Sequence, residues 1–193
     1  MTINCNGNLI DLSVPKIMGI LNITSNSFFD GGNYSSETEI LNQVEKMLND
    51  GASFIDLGAY SSRPGAKHVS EDEEKNRIIK IVELLAKEFP KANLSIDTFR
   101  SSVADECLSA GASIINDISA GHDDHAMIDT VAKLGVPYIA MHKKGSPKTM
   151  QRNPTYVDLV GEVVNYLVKV KQKCDDAGIQ DLIIDPGFGF GKT

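Results

Sequence analysis

The sequence predicts an α/β protein in which strands and helices alternate, and three observations carry that expectation. Six short apolar runs each lead into a polar or charged residue: Ile17–Asn22, Phe54–Asp56, Leu94–Asp97, Ile114–Asp117, Tyr138–His142 and Leu182–Asp185. Four of them follow a glycine that closes a helical stretch, namely Gly51, Gly111, Gly135 and Gly178. The runs are rich in Ile and Val with little polar alternation, as strands covered on both faces require. Two architectures fit this alternation, an open doubly wound sheet and a TIM (β/α)8 barrel. The first run ends Gly19-Ile20-Leu21-Asn22, which is not a glycine-rich dinucleotide turn. Polar groups stand at nearly every strand end instead of at one switch point. The barrel is the favoured reading, with about six βα units in 193 residues, where eight typically take roughly 250.

Each intervening segment reads as a helix. Ser36-Glu37-Thr38-Glu39 has capping-box spacing and opens a helix that Gly51 ends. Ser70-Glu71-Asp72-Glu73 repeats the device, and Ile78, Val82, Leu85 and Phe89 form a helical stripe before Pro90. A shorter helix is predicted over Ser102 to Ala110, and another over Ala126 to Leu134. The longest starts after Pro154, with Val160, Val163, Val164, Leu167 and Cys174 expected to face the core until Gly178.

Size and charge narrow the function classes. A chain of 193 residues, 41% hydrophobic, suits one globular domain over residues 1–193. A net charge of −7 argues against general nucleic-acid binding. Three widely separated cysteines, Cys5, Cys107 and Cys174, lack any CxxC spacing. That pattern fits a reducing cytoplasm better than a disulfide framework or structural zinc. Met1 to Ser13 has neither a basic stretch nor an apolar core, so no secretory signal is read there. No apolar run approaches the ~18 residues of a membrane helix.

A parallel strand–helix–strand chain puts every strand's C-terminal end on one face. Asn22, Asp56, Asp97, Asn116, Asp117, His142 and Asp185 are therefore expected to converge as an active-site rim.

Seven ordered segments carry a resemblance. Met18-Gly19-Ile20-Leu21-Asn22-Ile23-Thr24, with Ser27-Phe28 and Asp30-Gly31-Gly32, makes the first. Asp56-Leu57-Gly58 with Ser61-Ser62-Arg63-Pro64-Gly65-Ala66 makes the second. Ser95-Ile96-Asp97-Thr98 and Ile115-Asn116-Asp117-Ile118-Ser119 follow. Met141-His142, Gly145 to Gln151 and Asp185-Pro186-Gly187-Phe188-Gly189-Phe190-Gly191-Lys192 complete the set. Together they resemble the dihydropteroate synthase family over nearly the whole chain. Ser25-Asn26 stands where that family usually has Pro-Asp, Ala59-Tyr60 where it has Gly-Glu, and Ser62 where it has threonine.

The resemblance implies a pterin-binding barrel that displaces pyrophosphate from a dihydropterin diphosphate with the amine of p-aminobenzoate, in folate synthesis. It implies that Asp97, Asn116 and Asp185 meet the pterin's hydrogen-bonding edge, with Met141 against the ring. Carboxylates and amides suit adjacent N–H groups and mixed donor–acceptor edges. It places Asn22 at Mg²⁺, which takes hard oxygen ligands and works with the diphosphate. Asp30 becomes a loop carboxylate closing over the metal, and Arg63 a partner for the diphosphate or for Asp30. Ser62, Pro64 and Phe28 shape the p-aminobenzoate pocket, and Asp97 stabilises a cationic intermediate. The family also implies a homodimer, and two further strand–helix units after Thr193 that carry a lysine and an Arg/His pair. On that expectation residues 1–193 are a C-terminally incomplete domain. Two other functions share the Asp/Asn positions: a pterin-binding methyltransferase of the same superfamily, and a non-catalytic pterin-binding homologue.

Other signals read as structural. Gly187 to Thr193 mimics a phosphate loop, but its first glycine is one residue too close to Gly191-Lys192. His122, Asp123, Asp124 and His125 read as a solvated helix start, and His142, at a strand end, reads either as a functional group or as a hydrogen-bonded structural histidine. Lys143, Lys144, Lys148 and Arg152 read as a charged loop.

Overall fold

The computed structural model describes residues 1–23, 34–60, 69–145, 150 and 154–192. Two strands, β1 (Thr2–Cys5) and β2 (Asn8–Asp11), form an antiparallel hairpin that the sequence reading did not anticipate. Its signal was present. Asn6-Gly7 takes positive φ at both residues, 50° and 85°, and such a pair favours the two-residue turn whose twist matches a hairpin.

The main sheet follows as repeated strand–helix units. They run β3 (Ile17–Asn22), α1 (Tyr34–Asn49), β4 (Ala52–Gly58), α2 (Glu71–Glu88), β5 (Asn93–Asp97) and α3 (Ser101–Ser109). Then come β6 (Ile114–Asp117), α4 (Met127–Leu134), β7 (Tyr138–Met141), α5 (Leu159–Ala177) and β8 (Leu182–Asp185). All six strands are parallel, and their spatial order is the chain order, β3 to β8. A doubly wound sheet reverses direction at a switch point, whereas this winding never does. The sheet is an arc of a barrel, with β3 and β8 as its edges among the described residues.

Local chemistry explains most element ends. Ser70 caps α2, its Oγ accepting the Glu73 N–H at 3.2 Å. Asp158 caps α5 by accepting the Gly161 N–H at 3.0 Å. Gly178 ends α5 in the left-handed region at φ 87°, where a side chain would be strained. Two expectations need correction. The helix expected to open at Ser36 begins at Tyr34, so Ser36 lies inside it. On α5 the core face is Val163, Leu167, Val170 and Cys174. Val160 and Val164, expected in the core, are 71% and 51% exposed and lie on a second valine stripe that turns away from it.

Alternation along the strands divides the interior in two. Ile55, Leu57, Leu94, Ile96, Ile115, Tyr138 and Ala140 face the helices and build the larger core with Val44, Ile78, Val82, Leu85, Val103, Val131 and Cys174. Phe54, Ile114 and Ile139, with Met18 and Ile183, face the other way. The hairpin covers them with Ile3 and Cys5. The lower end of the barrel's inner face is thus a plugged apolar layer. Chemistry is left to the upper end.

Candidate active site

The register places one polar residue after another along the upper inner face. Asn22 pairs with Gly58, Gly58 with Asp97, and Asp97 with Asn116. Farther along, Met141 pairs with Asp185. Because each strand alternates, these residues share the face that carries Phe54, Ile114, Ile139 and Ile183 lower down. The structure therefore brings together Asn22, Asp97, Asn116, Met141 and Asp185. Phe28, Asp30, Ser62, Arg63 and Pro64 lie outside the described residues.

Three members of the expected rim do not belong to it: Asp56 lies one layer below, and Asp117 and His142 face the helices. Asp117 follows Asn116 and so points into the helical layer. Its Oδ1 accepts the Ser119 N–H, and its Oδ2 accepts the Gly121 N–H and the Tyr138 hydroxyl, each at 2.7 Å. That carboxylate is consumed in shaping a turn. His142 follows Met141 and also faces the helices, its ring edge-on to Tyr166 of α5 at 4.9 Å between centroids. Burial, with Lys192 nearby, holds its pKa below the ordinary histidine value, and its Nδ1 has no partner among the described residues. The imidazole is held by packing on Tyr166 rather than aimed at the inner face.

The inner-face carboxylates differ in how much of each is already used. Asp56, one layer below the rim and 3% exposed, accepts the Ser95 hydroxyl at 2.6 Å and the Asn116 amide at 3.0 Å. Asp185 accepts the Gly187 N–H on Oδ1 at 2.7 Å, which leaves Oδ2 free of that bond. Asp97 has no hydrogen-bond donor among the described residues. Its pKa is pushed well above the ordinary carboxylate range, first by burial and then by the charges of Asp56, Glu74 and Asp117. Gly58 leaves room for it, since a Cβ there would lie 3.3 Å from Asp97 Oδ2. A half-buried carboxyl among other carboxylates is matched to a ligand that brings N–H donors or positive charge.

Two supports hold this arrangement. Behind β5, the fully buried Glu74 pairs with Arg100 and accepts the Thr98 hydroxyl at 2.7 Å. Arg100 also donates to the Val69 carbonyl at 2.8 Å, and its guanidinium lies over the rings of Phe99 and Tyr60. Tyr60, where the family usually has glutamate, thus meets Arg100 with an aromatic face. After β8, the chain turns back tightly against β7. A Cβ on Gly187, at φ 68°, would sit 2.1 Å from the His142 carbonyl oxygen, so only glycine fits. Lys192 closes this turn by donating to the carbonyls of His142 at 2.9 Å and Phe190 at 3.1 Å. Its ammonium serves the loop's own backbone rather than a nucleotide.

The remaining polar clusters also read as structure. Asp124 accepts the N–H groups of Ser101 at 2.7 Å and Ala126 at 2.9 Å, while His122 and His125 are exposed. Among the described residues no three His, Cys, Asp or Glu side chains are grouped to hold a metal ion. Lys143 pairs with Asp123, and Lys144 with Glu162 and the Tyr156 ring. Lys148 and Arg152 lie outside the described residues. Asp56 and Ser95 are the contributors that sequence reasoning left without a role. Their signal was the strand period, which puts both on the inner face beneath Asp97 and Asn116.

Comparison with known proteins agrees with this geometry. Residues 18–193 match the pterin binding enzyme family. The chain is 44% identical over 195 residues to a dihydropteroate synthase of Haemophilus influenzae, covering all of this chain and 70% of that protein. It is 43% identical to the Escherichia coli K12 dihydropteroate synthase, covering 68% of it. Among solved structures, the Yersinia pestis dihydropteroate synthase in a sulfonamide drug complex superposes with a TM-score of 0.90 at 42% identity, over all of this chain and 70% of that one. The Burkholderia cenocepacia dihydropteroate synthase complexed with 7,8-dihydropteroate gives 0.84 at 37% identity, over all of this chain and 65% of that one. Six sequential parallel strands, a polar upper inner face and these matches agree, and the chain belongs to the pterin binding enzyme family.

Proposed function

We propose that this chain carries the pterin half of a dihydropteroate synthase site and takes part in condensing 6-hydroxymethyl-7,8-dihydropterin diphosphate with p-aminobenzoate. The observation that supports this most is the shared inner face of Asp97, Asn116, Met141 and Asp185, in a chain 44% identical along its whole length to a named synthase. Asp185, through Oδ2, accepts from the pterin's N–H edge. Asn116 complements a mixed position, and Met141 packs on the ring.

In the reaction, the bond between the exocyclic CH2 carbon and the diphosphate oxygen breaks, and its electron pair leaves with pyrophosphate. The amine nitrogen of p-aminobenzoate gives its pair to that carbon and then loses one proton. A loose path of this kind gathers positive charge on the pterin, and a carboxylate group beside the ring lowers its energy. Asp97 is that group. Arg63 is assigned to the departing anion, Ser62, Pro64 and Phe28 to the p-aminobenzoate pocket, and Asp30 to loop closure over the diphosphate.

Asn22 suits Mg²⁺ as a single neutral oxygen donor, exposed at the end of β3. A metal that keeps several waters and shares the substrate's phosphates needs no cage of protein carboxylates. When bound, the ion supplies charge neutralisation for the leaving diphosphate. Among the described residues no helix is long and apolar enough to cross a membrane. A cytoplasmic location and a homodimeric assembly are part of the same proposal.

The 43–44% identical relatives are named as synthases, which favours this reading over a methyltransferase. The test is a pyrophosphate-release assay with the pterin diphosphate, Mg²⁺ and p-aminobenzoate, beside calorimetric binding of the dihydropterin alone. Release that depends on p-aminobenzoate supports the synthase. Pterin binding without release identifies a non-catalytic binding protein, and no binding of either ligand overturns the proposal.

A further inference from the structure

We infer that Asp56 is a positioning residue that sets which end of the Asn116 amide meets the ligand. Asp56 lies on β4, Asn116 two strands away on β6, and both occupy the inner face. The Asp56 carboxylate is almost fully enclosed, and its two oxygens are divided between two donors. Oδ1 takes the Ser95 hydroxyl at 2.6 Å, and Oδ2 takes the Asn116 amide nitrogen at 3.0 Å.

Burial raises the Asp56 pKa, while the bonds from Ser95 and Asn116 oppose that rise. In its ionised form the carboxylate only accepts hydrogen bonds, whereas an amide offers a donor end and an acceptor end. Asp56 therefore captures the NH2 end of Asn116. The alternative rotamer, turned by 180°, sets the Asn116 oxygen against a carboxylate oxygen. It loses a charge-assisted bond at a part-buried position of the inner face. Ser95 keeps Asp56 from turning away. The planar amide must then present Oδ1 on the side turned away from Asp56. Asn116 is fixed as an acceptor, and the site selects a ring edge with an N–H at that point. Asp56 never needs to touch the ligand to impose this choice.

This inference rests on the pterin reading for the identity of the ligand, but not for the amide's orientation. Two measurements separate the two. In the ligand-free chain, the Asn116 side-chain NH2, assigned in ¹⁵N NMR spectra by its loss in Asn116→Ala, should show one downfield, slowly exchanging proton. That signature should vanish in the near-isosteric Asp56→Asn variant, whose side chain can turn a donor toward Asn116. An NH2 pair in the unmodified chain that is symmetric and exchanges freely with water overturns the orientation, whatever the ligand.

The second measurement is a double-mutant cycle on the dissociation constant of 6-hydroxymethyl-7,8-dihydropterin. Asp56→Asn alone should weaken binding by about tenfold. In the Asn116→Ala background, the same change should have almost no further effect, because its route to the ligand is gone. A tenfold loss that persists in that background overturns the positioning role and leaves the pterin site standing. No pterin binding by the unmodified chain overturns the ligand identity, and with it the specificity assigned to Asn116.

Discussion

Replacing Asp185 by asparagine tests the pterin edge with the least disturbance to the fold. Oδ1 of Asp185 accepts the Gly187 N–H at 2.7 Å, in a turn so tight that Gly187 lies against the His142 carbonyl. That backbone N–H will keep an oxygen acceptor, so in Asp185→Asn the amide oxygen takes over the Oδ1 position. The NH2 group must then stand where Oδ2 stood. It presents a donor to a ring edge that also donates, and the charge is gone. A hydrogen bond to a charged group is worth about 1.5–3 kcal/mol, and every ~1.4 kcal/mol is tenfold in affinity. The expected loss is therefore at least about tenfold in the dissociation constant of the bare dihydropterin, read by titration calorimetry. The melting temperature should stay close to that of the unmodified chain, because the turn keeps its bond. Unchanged pterin affinity in a normally melting variant would refute the assignment of Asp185.

Two further outcomes follow from the same face. Asn22→Ala should impair binding of the pterin diphosphate with Mg²⁺ far more than binding of the bare pterin, and equal losses for both ligands would make Asn22 simply structural. Asp97→Asn should change the pH dependence of stability. The folded Asp97 has its pKa raised by burial and neighbouring carboxylates, so the folded state binds more protons than the unfolded one above the ordinary aspartate value of about 4. The unmodified chain should lose stability as pH rises from there through the raised value, and then level off. Asparagine cannot ionise, so the variant's stability advantage in thermal melts should grow over that window. A difference independent of pH would mean that Asp97 ionises normally in the folded chain.

Much of this arrangement was legible in the chain before any tertiary information. The strand runs Ile17–Asn22, Ile114–Asp117 and Leu182–Asp185 coincide with β3, β6 and β8, because apolar runs bounded by turn residues have few other ways to bury themselves. Ser70 and Gly178 act as the helix ends that their chemistry predicts, since a cap is decided within a few residues. The same locality explains the failures. Ser36 has cap spacing, yet α1 begins before it. Val160 and Val164 have helical spacing, yet belong to a stripe whose side of α5 is not the one that packs. Spacing determines that a helix has faces. Only its neighbours determine which face is buried.

The candidate site divides along the same line. By itself the sequence determined that polar residues end the strands, and that their order resembles one family of pterin-binding barrels. The tertiary structure decided which of them face inward. Asp97 and Asn116 do, whereas Asp117, adjacent to Asn116, is spent on Tyr138 and a turn, and His142, adjacent to Met141, packs on Tyr166. A one-residue step along a strand reverses the side chain, so register across six strands separates ligand-facing groups from structural ones. Tertiary contact also set the state of each carboxyl group. Asp56, Asp97 and Asp185 are chemically identical in the chain. They become an anchored acceptor, a donor-poor acid with a raised pKa and a half-occupied carboxylate because of what surrounds them in space. Solvation and hydrogen bonding are properties of a place in the fold, and the residues that make that place are distant in sequence.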